Sequence, residues 1–196
     1  MQPVTGQADE AEAETGAARG GREGHRGSGV WVALLAVLAG AALTLAACLG
    51  GPPAIADGQI ARDFSLPPLA NSTHQVALSD YAGQPVIINF CAAWSPPCTA
   101  ETRLLATFFR LHRGKVLIIG IDSRDSRAAG LRLIRRSKVL YPVAADPAQS
   151  VGGLYGIPGT PTTYFLNARH EIMETHLGWL NWHKLARGTE VMDAGT

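Results

Sequence analysis

Residues 85–101 read P-V-I-I-N-F-C-A-A-W-S-P-P-C-T-A-E, and this stretch decides the fold. Residues 86–90 form an apolar, largely β-branched run, which is typical of a strand buried on both faces. Ser95 and the two prolines after it predict the start of a helix, because Ser is a favoured N-cap and Pro is tolerated in the first turn. Cys98 would then lie in that first turn, where free N–H groups and the helix dipole favour a thiolate.

The sequence that follows alternates between helical and strand patterns. Residues 115–121 are a second continuous apolar run and predict a second buried parallel strand. Asp122 and Ser123 are expected to cap a helix that runs through about residue 139, with the following side chains facing inward: Ala128, Leu131 and Ile134. Strands that alternate with helices in this way predict an α/β fold built on a buried sheet.

The first stretch resembles N-F-W-A-x-W-C-P-P-C, the active-site segment of TlpA/ResA-type proteins. These are membrane-tethered thiol–disulfide oxidoreductases with the thioredoxin fold, within the redoxin (AhpC/TSA) superfamily. The matching residues are Asn89, Phe90, Ala92, Trp94, Pro96, Pro97, Cys98 and Glu101. The resemblance implies a thioredoxin-like α/β domain with a central mixed sheet flanked by helices.

A second segment carries the same resemblance. Residues 159–166, G-T-P-T-T-Y-F-L, are similar to the family's G-x-P-T segment, whose proline is cis and lies against the active-site thiols. The resemblance therefore implies that Thr160 and Pro161 border a groove for an extended peptide, with Trp94 as one wall. A proline there cannot donate a hydrogen bond, which leaves neighbouring backbone groups to pair with a substrate.

The resemblance fails at the attacking cysteine of the family, whose place is taken by Ser95. A hydroxyl cannot form the mixed disulfide that thiol–disulfide exchange requires, so ordinary C-x-x-C turnover is excluded. Cys98 is the cysteine retained from the motif, and Cys91 stands where the family has an aromatic residue. Ser95 therefore marks a degenerate site, and enzymatic activity stays an open question.

Three interpretations remain open at this point. Cys91 and Cys98 could form a displaced redox pair across the turn. Alternatively, Ser95 could orient a peroxide for attack by Cys98, as the [TS]-x-x-C-[TP]-x-E motif of peroxiredoxins implies. In the third interpretation the domain binds peptides without reacting with them, and Cys91 and Cys98 are core residues.

The N-terminal part of the chain predicts a membrane tether. Residues 1–29 are too poor in apolar side chains to fold and are expected to be disordered in the cytoplasm. Residues 30–49 are long and apolar enough to span a bilayer as a signal anchor, and the cations before them are Arg19, Arg22 and Arg26. Residues 50–59 would be a linker, and residues 60–196 the extracytoplasmic domain. Alternatively, Leu45-Ala46-Ala47-Cys48 resembles a lipobox, which would make Cys48 a lipidation site.

Composition narrows the range of partners. The chain has 17 Lys and Arg against 16 Asp and Glu, and this near balance argues against nucleic-acid binding. No spacing of its three cysteines and six histidines suits a zinc site, so no metal or cofactor is expected. The expected partners are extracytoplasmic protein thiols or disulfides, and the membrane itself.

Overall fold

A computed structural model describes residues 53–70, 72–112 and 115–193. The disordered N-terminus, the membrane segment and the lipidation site predicted from the sequence lie outside these residues. Within the described ranges, no helix is long and apolar enough to cross a membrane.

The described chain alternates strands and helices, as the sequence patterns predict. After a 3-10 turn at Leu78–Tyr81, the parallel strands are separated by helices. The strands are β1 (Ser65–Leu66), β2 (Val76–Ala77), β3 (Val86–Cys91), β4 (Leu117–Ser123), β5 (Val143–Asp146), β6 (Thr162–Leu166) and β7 (Ile172–Leu177). The helices are α1 (Pro96–Leu111), α2 (Arg127–Arg136), α3 (Ser150–Tyr155) and α4 (Trp182–Asp193).

Five strands form one mixed sheet in the order β5-β4-β3-β6-β7. Strands β3, β4 and β5 are parallel to each other, whereas β6 runs antiparallel to β3 and β7 antiparallel to β6. All six residues of β3 are buried. The strand that carries the decisive sequence is therefore the centre of the sheet, and its carboxyl end delivers the chain directly to α1.

The two faces of the sheet carry separate hydrophobic cores. On one face Ile87 packs with Leu105 and Phe108 of α1 and with Leu185 and Met192 of α4. The opposite face holds Val86, Ile88 and Phe90 together with α3 and the N-terminal β1–β2 segment.

An aromatic cluster forms the centre of the second core. The Tyr155 ring lies 5.4 Å from the ring of Phe90 and 5.3 Å from that of Tyr164. Because side chains alternate along a strand, Asn89 and Cys91 lie on the same face of β3 as Ile87, the face that α1 covers.

The helix after β4 begins later than the sequence pattern predicts. Asp122 and Ser123 do not cap it, because they continue β4 and pair with Ala145 and Asp146 of β5. The N-cap is Ser126, whose side chain accepts a hydrogen bond from the Ala129 N–H. The buried residues of α2 are accordingly Gly130 and Leu133. Of the predicted inward set, Ala128 is exposed, whereas Leu131 and Ile134 are half-buried, so that prediction is only partly correct.

Part of the predicted linker belongs to the folded domain. Ile55 is buried and its N–H donates to the carbonyl of Tyr155 at 3.2 Å. The Gly58 N–H donates to the carbonyl of Ile172 at 2.7 Å, and Asp57 accepts a hydrogen bond from the Thr175 hydroxyl at 2.6 Å. Backbone and apolar contacts therefore begin at least five residues before the predicted start of the domain at residue 60.

Candidate active site

The turn between β3 and α1 holds Ser95 at the N-cap position of the helix. Its backbone is extended, with φ −91° and ψ 113°, and prolines occupy the first turn, as the sequence predicts. The side chain, however, makes no capping hydrogen bond to the helix. The hydroxyl instead donates to the Thr160 carbonyl at 3.4 Å, and it lies close enough to Cys98 to lower the pKa of that thiol. Ser95 is thus turned toward the thiol and the proline loop, and it is only 4% exposed.

Cys98 and Cys91 lie close enough for each thiol to shift the pKa of the other. Both are free cysteines, and both are buried, with exposures of 0% for Cys98 and 7% for Cys91. The Cys98 sulfur also accepts the Ala92 N–H at 3.3 Å. The structure therefore brings together the two thiols whose mutual orientation the sequence left open.

The surroundings of the two thiols shift their pKa values in opposite directions. Hydrogen bonding with Cys91 is the largest influence on Cys98 and lowers its pKa, and the Ala92 N–H and the Ser95 hydroxyl act in the same direction. Burial and the charge of Glu101 oppose this effect without cancelling it. Burial raises the pKa of Cys91 well above its ordinary value, and the interaction with Cys98 adds to the rise. Cys98 is therefore the more acidic thiol of the pair, and Cys91 is the less acidic one.

Pro161 follows a cis peptide bond from Thr160, as the resemblance implies. A shallow groove of about 240 Å³ runs past these residues and is bordered by Gly159 and Gly178. The Pro161 carbonyl accepts the Gly178 N–H at 2.9 Å, so it is already paired within the domain. Thr160 is the residue of this loop that contacts the active-site turn, through the hydroxyl of Ser95.

Trp94 does not share the Pro161 groove. Its indole N–H donates to the Arg124 carbonyl at 3.1 Å, and 62% of the residue is exposed. It lines a separate cleft of about 340 Å³ between α1 and α2, together with Arg103, Asp125, Arg132 and Arg136. The expected single groove walled by Trp94 and bordered by Pro161 is therefore two separate depressions in the structure.

Glu101 belongs to the sequence motif, and the structure shows what its side chain does. Its side chain is fully buried and accepts hydrogen bonds from the Asn89 amide at 2.6 Å and from the Leu180 N–H at 2.6 Å. The Thr163 hydroxyl donates to the same carboxylate at 3.3 Å. Burial raises the pKa of Glu101, while these donors oppose the rise. The signal for this role was a carboxylate three residues after Cys98 on the buried side of a helix.

Two further acidic residues lie beside the thiols and were missed as site residues. Asp122 is only 6% exposed, and burial together with the neighbouring Asp125 carboxylate raises its pKa to about 7. The Asp125 carboxylate accepts hydrogen bonds from the N–H groups of Ala93, in the active-site turn, and Ser126. An aspartate at the end of an apolar run was the available signal, but the same pattern also predicts a helix cap.

Among the residues that the structure describes, no three His, Cys, Asp or Glu side chains are grouped so that they could hold a metal ion. The arrangement around Cys98 is one of thiols, hydroxyls and carboxyls, which suits proton transfer and sulfur chemistry.

Comparison with known proteins identifies the family of the chain and several relatives. The profile of the AhpC/TSA family matches residues 58–175, which include every active-site residue described above. The chain is similar to the thiol-disulfide oxidoreductase ResA of Oceanobacillus iheyensis, with 32% identity over 131 residues that cover 65% of this chain and 68% of that protein. It is also 30% identical to the thiol:disulfide interchange protein DsbE of Xylella fastidiosa over 125 residues, which cover 63% of this chain and 62% of the relative.

Solved structures show the same fold. A putative thiol:disulfide interchange protein DsbE from Chlorobium tepidum superposes with a TM-score of 0.64, covering 72% of this chain and 99% of that one, at 23% identity. A structure of MTB dsbF in mixed oxidized and reduced forms gives a TM-score of 0.61 over 66% of this chain and 94% of that one, at 22% identity. At these identities the likeness establishes the thioredoxin-like fold alone.

Proposed function

Because this chain belongs to the AhpC/TSA family and its relatives are thiol–disulfide oxidoreductases, we propose that its redox pair is Cys91 and Cys98. The closeness of the two buried thiols is the observation that carries the proposal: the Cys98 sulfur accepts the N–H of Ala92, the residue after Cys91, and each thiol shifts the pKa of the other. Ser95 stands where the family motif has the attacking cysteine. The proposed pair therefore uses Cys91, at the end of β3, in place of a cysteine in the turn.

The proposed exchange takes place in two steps. The Cys98 thiolate attacks a disulfide R–S–S–R, forms a mixed disulfide and releases one thiolate RS⁻. Cys91 then loses its proton and attacks the Cys98 sulfur, which forms the Cys91–Cys98 disulfide and releases the second RS⁻. The outside disulfide is reduced to two thiols and the protein pair is oxidised, and a partner dithiol reverses the process.

Burial makes this exchange slower than that of an exposed C-x-x-C site. Cys98 is fully buried and Cys91 is only 7% exposed, so a partner reaches the sulfurs only after the site opens locally. Access favours small disulfides over folded proteins, because a small molecule needs a smaller opening. The protein is accordingly a thiol–disulfide oxidoreductase of altered and reduced activity, acting on partner thiols or disulfides.

We also propose that residues 30–49 tether the domain to a membrane and that residues 60–196 face the extracytoplasmic side. The support is the apolar sequence of that segment and the arginines before it. Extraction of membranes with alkaline carbonate and protease digestion of intact spheroplasts test this proposal. Release by carbonate, or a domain protected from protease until lysis, would contradict it.

Mass analysis of the full-length chain tests the thiol pair directly. No Lys or Arg lies between Arg62 and Arg103, so trypsin places Cys91 and Cys98 in one peptide and Cys48 in another. After treatment with glutathione disulfide and alkylation, we expect the peptide to be lighter by two hydrogens and to carry no alkyl group. Dithiothreitol should reverse the change.

The variant Cys91→Ala is the control, because it keeps Cys98 and removes its partner. It should stop at a glutathione adduct on Cys98. A wild-type peptide that carries two alkyl groups, or a stable adduct that never closes, would refute the pair. If hydrogen peroxide oxidises Cys98 much faster than the disulfide does, the peroxidase interpretation gains support, and two inert thiols would favour a peptide-binding module.

A further inference from the structure

The proton of Cys91 needs an acceptor whenever the proposed pair closes into a disulfide, and the structure assigns one. We propose that Asp122 accepts this proton and that Asp125 passes it to solvent in the cleft beside Trp94. This inference rests on the proposed function, since it concerns the step in which Cys91 becomes a nucleophile.

The placement of Asp122 follows from strand register. In the parallel pairing of β3 with β4, Cys91 is the direct partner of Asp122. Neighbouring strands lie about 4.8 Å apart, and residues in register project from the same face of the sheet. Both side chains line one small cavity of about 20 Å³. A cavity of this size has room for about one water molecule, which could link the thiol to the carboxylate.

The outward part of the route begins where the Asp125 carboxylate, three residues after Asp122, lies close enough to raise the pKa of Asp122. Asp125 lines the 340 Å³ cleft between α1 and α2, whereas Asp122 lines the small inner cavity. The two carboxyls therefore connect a buried thiol to a solvent-facing depression. Asp125 also accepts the Ala93 N–H, so the same carboxylate holds the turn that covers the thiols.

A glycine makes the inner carboxyl position possible. A Cβ at Gly130 in α2 would lie 2.7 Å from the Asp122 Cγ and would overlap one carboxyl oxygen. The absence of a side chain at this point on α2 lets the helix pass directly over Asp122. The carboxyl is thereby shielded from water on the helix side, which keeps it a weak acid and hence a better proton acceptor than an exposed aspartate.

The residues around Asp122 come from β3, from the segment after β4, from the segment before β5 and from α2. Cys91 lies on β3, Asp125 follows β4, and Tyr141 before β5 lines the same inner cavity. Burial, with the charges of Cys91 and Glu101, raises the pKa of Tyr141, so the phenol stays neutral. On α2 the residues that line the inner cavity are apolar, and Asp125 shares the outer cleft with Arg103, Arg132 and Arg136. Asp125 is thus the one carboxyl in contact with Asp122 among the residues that line the two cavities.

The step balances as a transfer of one proton and one sulfur–sulfur exchange. Once Cys98 carries a mixed disulfide with RS, the Cys91 thiol gives its proton to the Asp122 carboxylate. The Cys91 thiolate then attacks the Cys98 sulfur, the Cys98–SR bond breaks and RS⁻ leaves. The proton moves from Asp122 to Asp125 and then to water, so Asp122 is again a carboxylate for the next cycle.

The rate of ring closure as a function of pH tests the inference. The full-length chain is mixed with glutathione disulfide, quenched in acid at set times, and the tryptic peptide with both cysteines is quantified as reduced, mixed or closed. In the wild type we expect the closure rate to rise with pH to a plateau, with a midpoint at about 7. Asp122→Asn should lose this midpoint and close on the order of 100-fold more slowly at pH 7.5.

Asp125→Asn and Asp80→Asn complete the set of variants. Since the Asp125 charge raises the pKa of Asp122, Asp125→Asn should move the midpoint to lower pH. Asp80 is an exposed carboxylate outside both cavities, so Asp80→Asn should leave the profile unchanged. Should Asp122→Asn fail to fold, infrared difference spectra of the wild type provide a second readout, in which a protonated carboxyl band should titrate at about pH 7.

The outcomes separate the two proposals. Closure in the wild type with an unchanged profile in Asp122→Asn would overturn the role of Asp122 and leave the thiol pair standing. An unshifted midpoint in Asp125→Asn would overturn the outward route. Absence of closure in the wild type would overturn the pair and, with it, the proton route.

Discussion

The Oε2 atom of Glu101 accepts the backbone N–H of Leu180 at 2.6 Å, and this bond joins the active-site helix to the loop before α4 across 79 residues of sequence. The other carboxylate oxygen accepts from the Asn89 amide and the Thr163 hydroxyl, which lie on β3 and β6. One buried carboxylate therefore fixes the position of α1 against the sheet and against the C-terminal segment.

Replacing this carboxylate by an amide tests its structural role. In Glu101→Gln an NH₂ group would face at least one N–H or O–H donor, so a buried donor loses its acceptor. We expect a loss of about 1–3 kcal/mol in the free energy of unfolding, measured by urea denaturation. Glu174→Gln is the matched control, because Glu174 forms only a long contact of 3.9 Å with exposed Arg187. Equal effects of the two substitutions would show that the network adds nothing.

Because the Asp122 carboxyl group leaves no room for a side chain at Gly130, we expect two glycine substitutions to change stability in opposite directions. Gly130→Ala would push against the Asp122 carboxyl group, and we expect it to destabilise the domain by about 1–3 kcal/mol. Gly153→Ala lies in α3, where a Cβ meets nothing within 4 Å, and it should stabilise by up to about 1 kcal/mol. Thermal unfolding of both variants measures the difference. A neutral Gly130→Ala would mean that the carboxyl can move away at no cost.

The raised pKa of Asp122 predicts how the stability of the domain changes with pH. Its contribution is fully present below its ordinary pKa of 3.8 and is lost as the pH rises through about 7, because the buried charged form is disfavoured. The stability of Asp122→Asn relative to the wild type should therefore increase as the pH rises from about 4 to about 7. Urea midpoints at several pH values measure this trend. A difference between the two proteins that does not depend on pH would contradict the assigned protonation.

Cys91 is predicted to control the acidity of Cys98. In Cys91→Ala the main interaction that lowers the Cys98 pKa is gone, so that pKa should rise toward or above its ordinary value of 9.0. The ultraviolet absorbance of the thiolate during a pH titration reports this change. Both proteins should carry Cys48→Ala so that the third cysteine does not contribute. An unchanged titration would mean that Ala92 and Ser95 alone hold the thiolate.

Ser95→Cys should restore exchange with protein disulfides. The side chain at this position already contacts Cys98, so the introduced thiol would lie within reach of it. We expect reduction of insulin in a turbidity assay, where the wild type is expected to be slow. Ser95→Cys combined with Cys98→Ala is the control, which should form adducts without turnover. A folded Ser95→Cys variant that never reduces insulin would count against the geometry described for the turn.

The fold was predictable because its two central strands are continuous apolar runs in the sequence. Residues of β3 and β4 are buried on both faces, and few structures other than a parallel sheet covered by helices can accommodate them. The end of β4 was not predictable in the same way. Asp122 is equally suited to cap a helix or to end a strand, and only its pairing with Ala145 of β5 decides between them.

The orientation of Cys91 could not be read from the sequence for a related reason. A strand that is apolar on both faces has no polar alternation, so its sequence does not show which face meets the helix that carries Cys98. The placement of Asn89 opposite Glu101 settles the matter in the structure, since Cys91 is two residues further along the same face. Trp94 was misplaced because its indole bonds with Arg124, 30 residues away.

The positions of the aromatic rings determine which optical signals will report on this protein. Trp94, Trp179 and Trp182 are 62%, 50% and 43% exposed in the native state, so their fluorescence maximum should shift little when the domain unfolds. Tyr155 and Tyr164 lie in the closely packed ring cluster beneath the sheet, where a fixed asymmetric environment gives strong near-ultraviolet circular dichroism. Loss of that tyrosine band is therefore the more sensitive measure of unfolding for the variants described above.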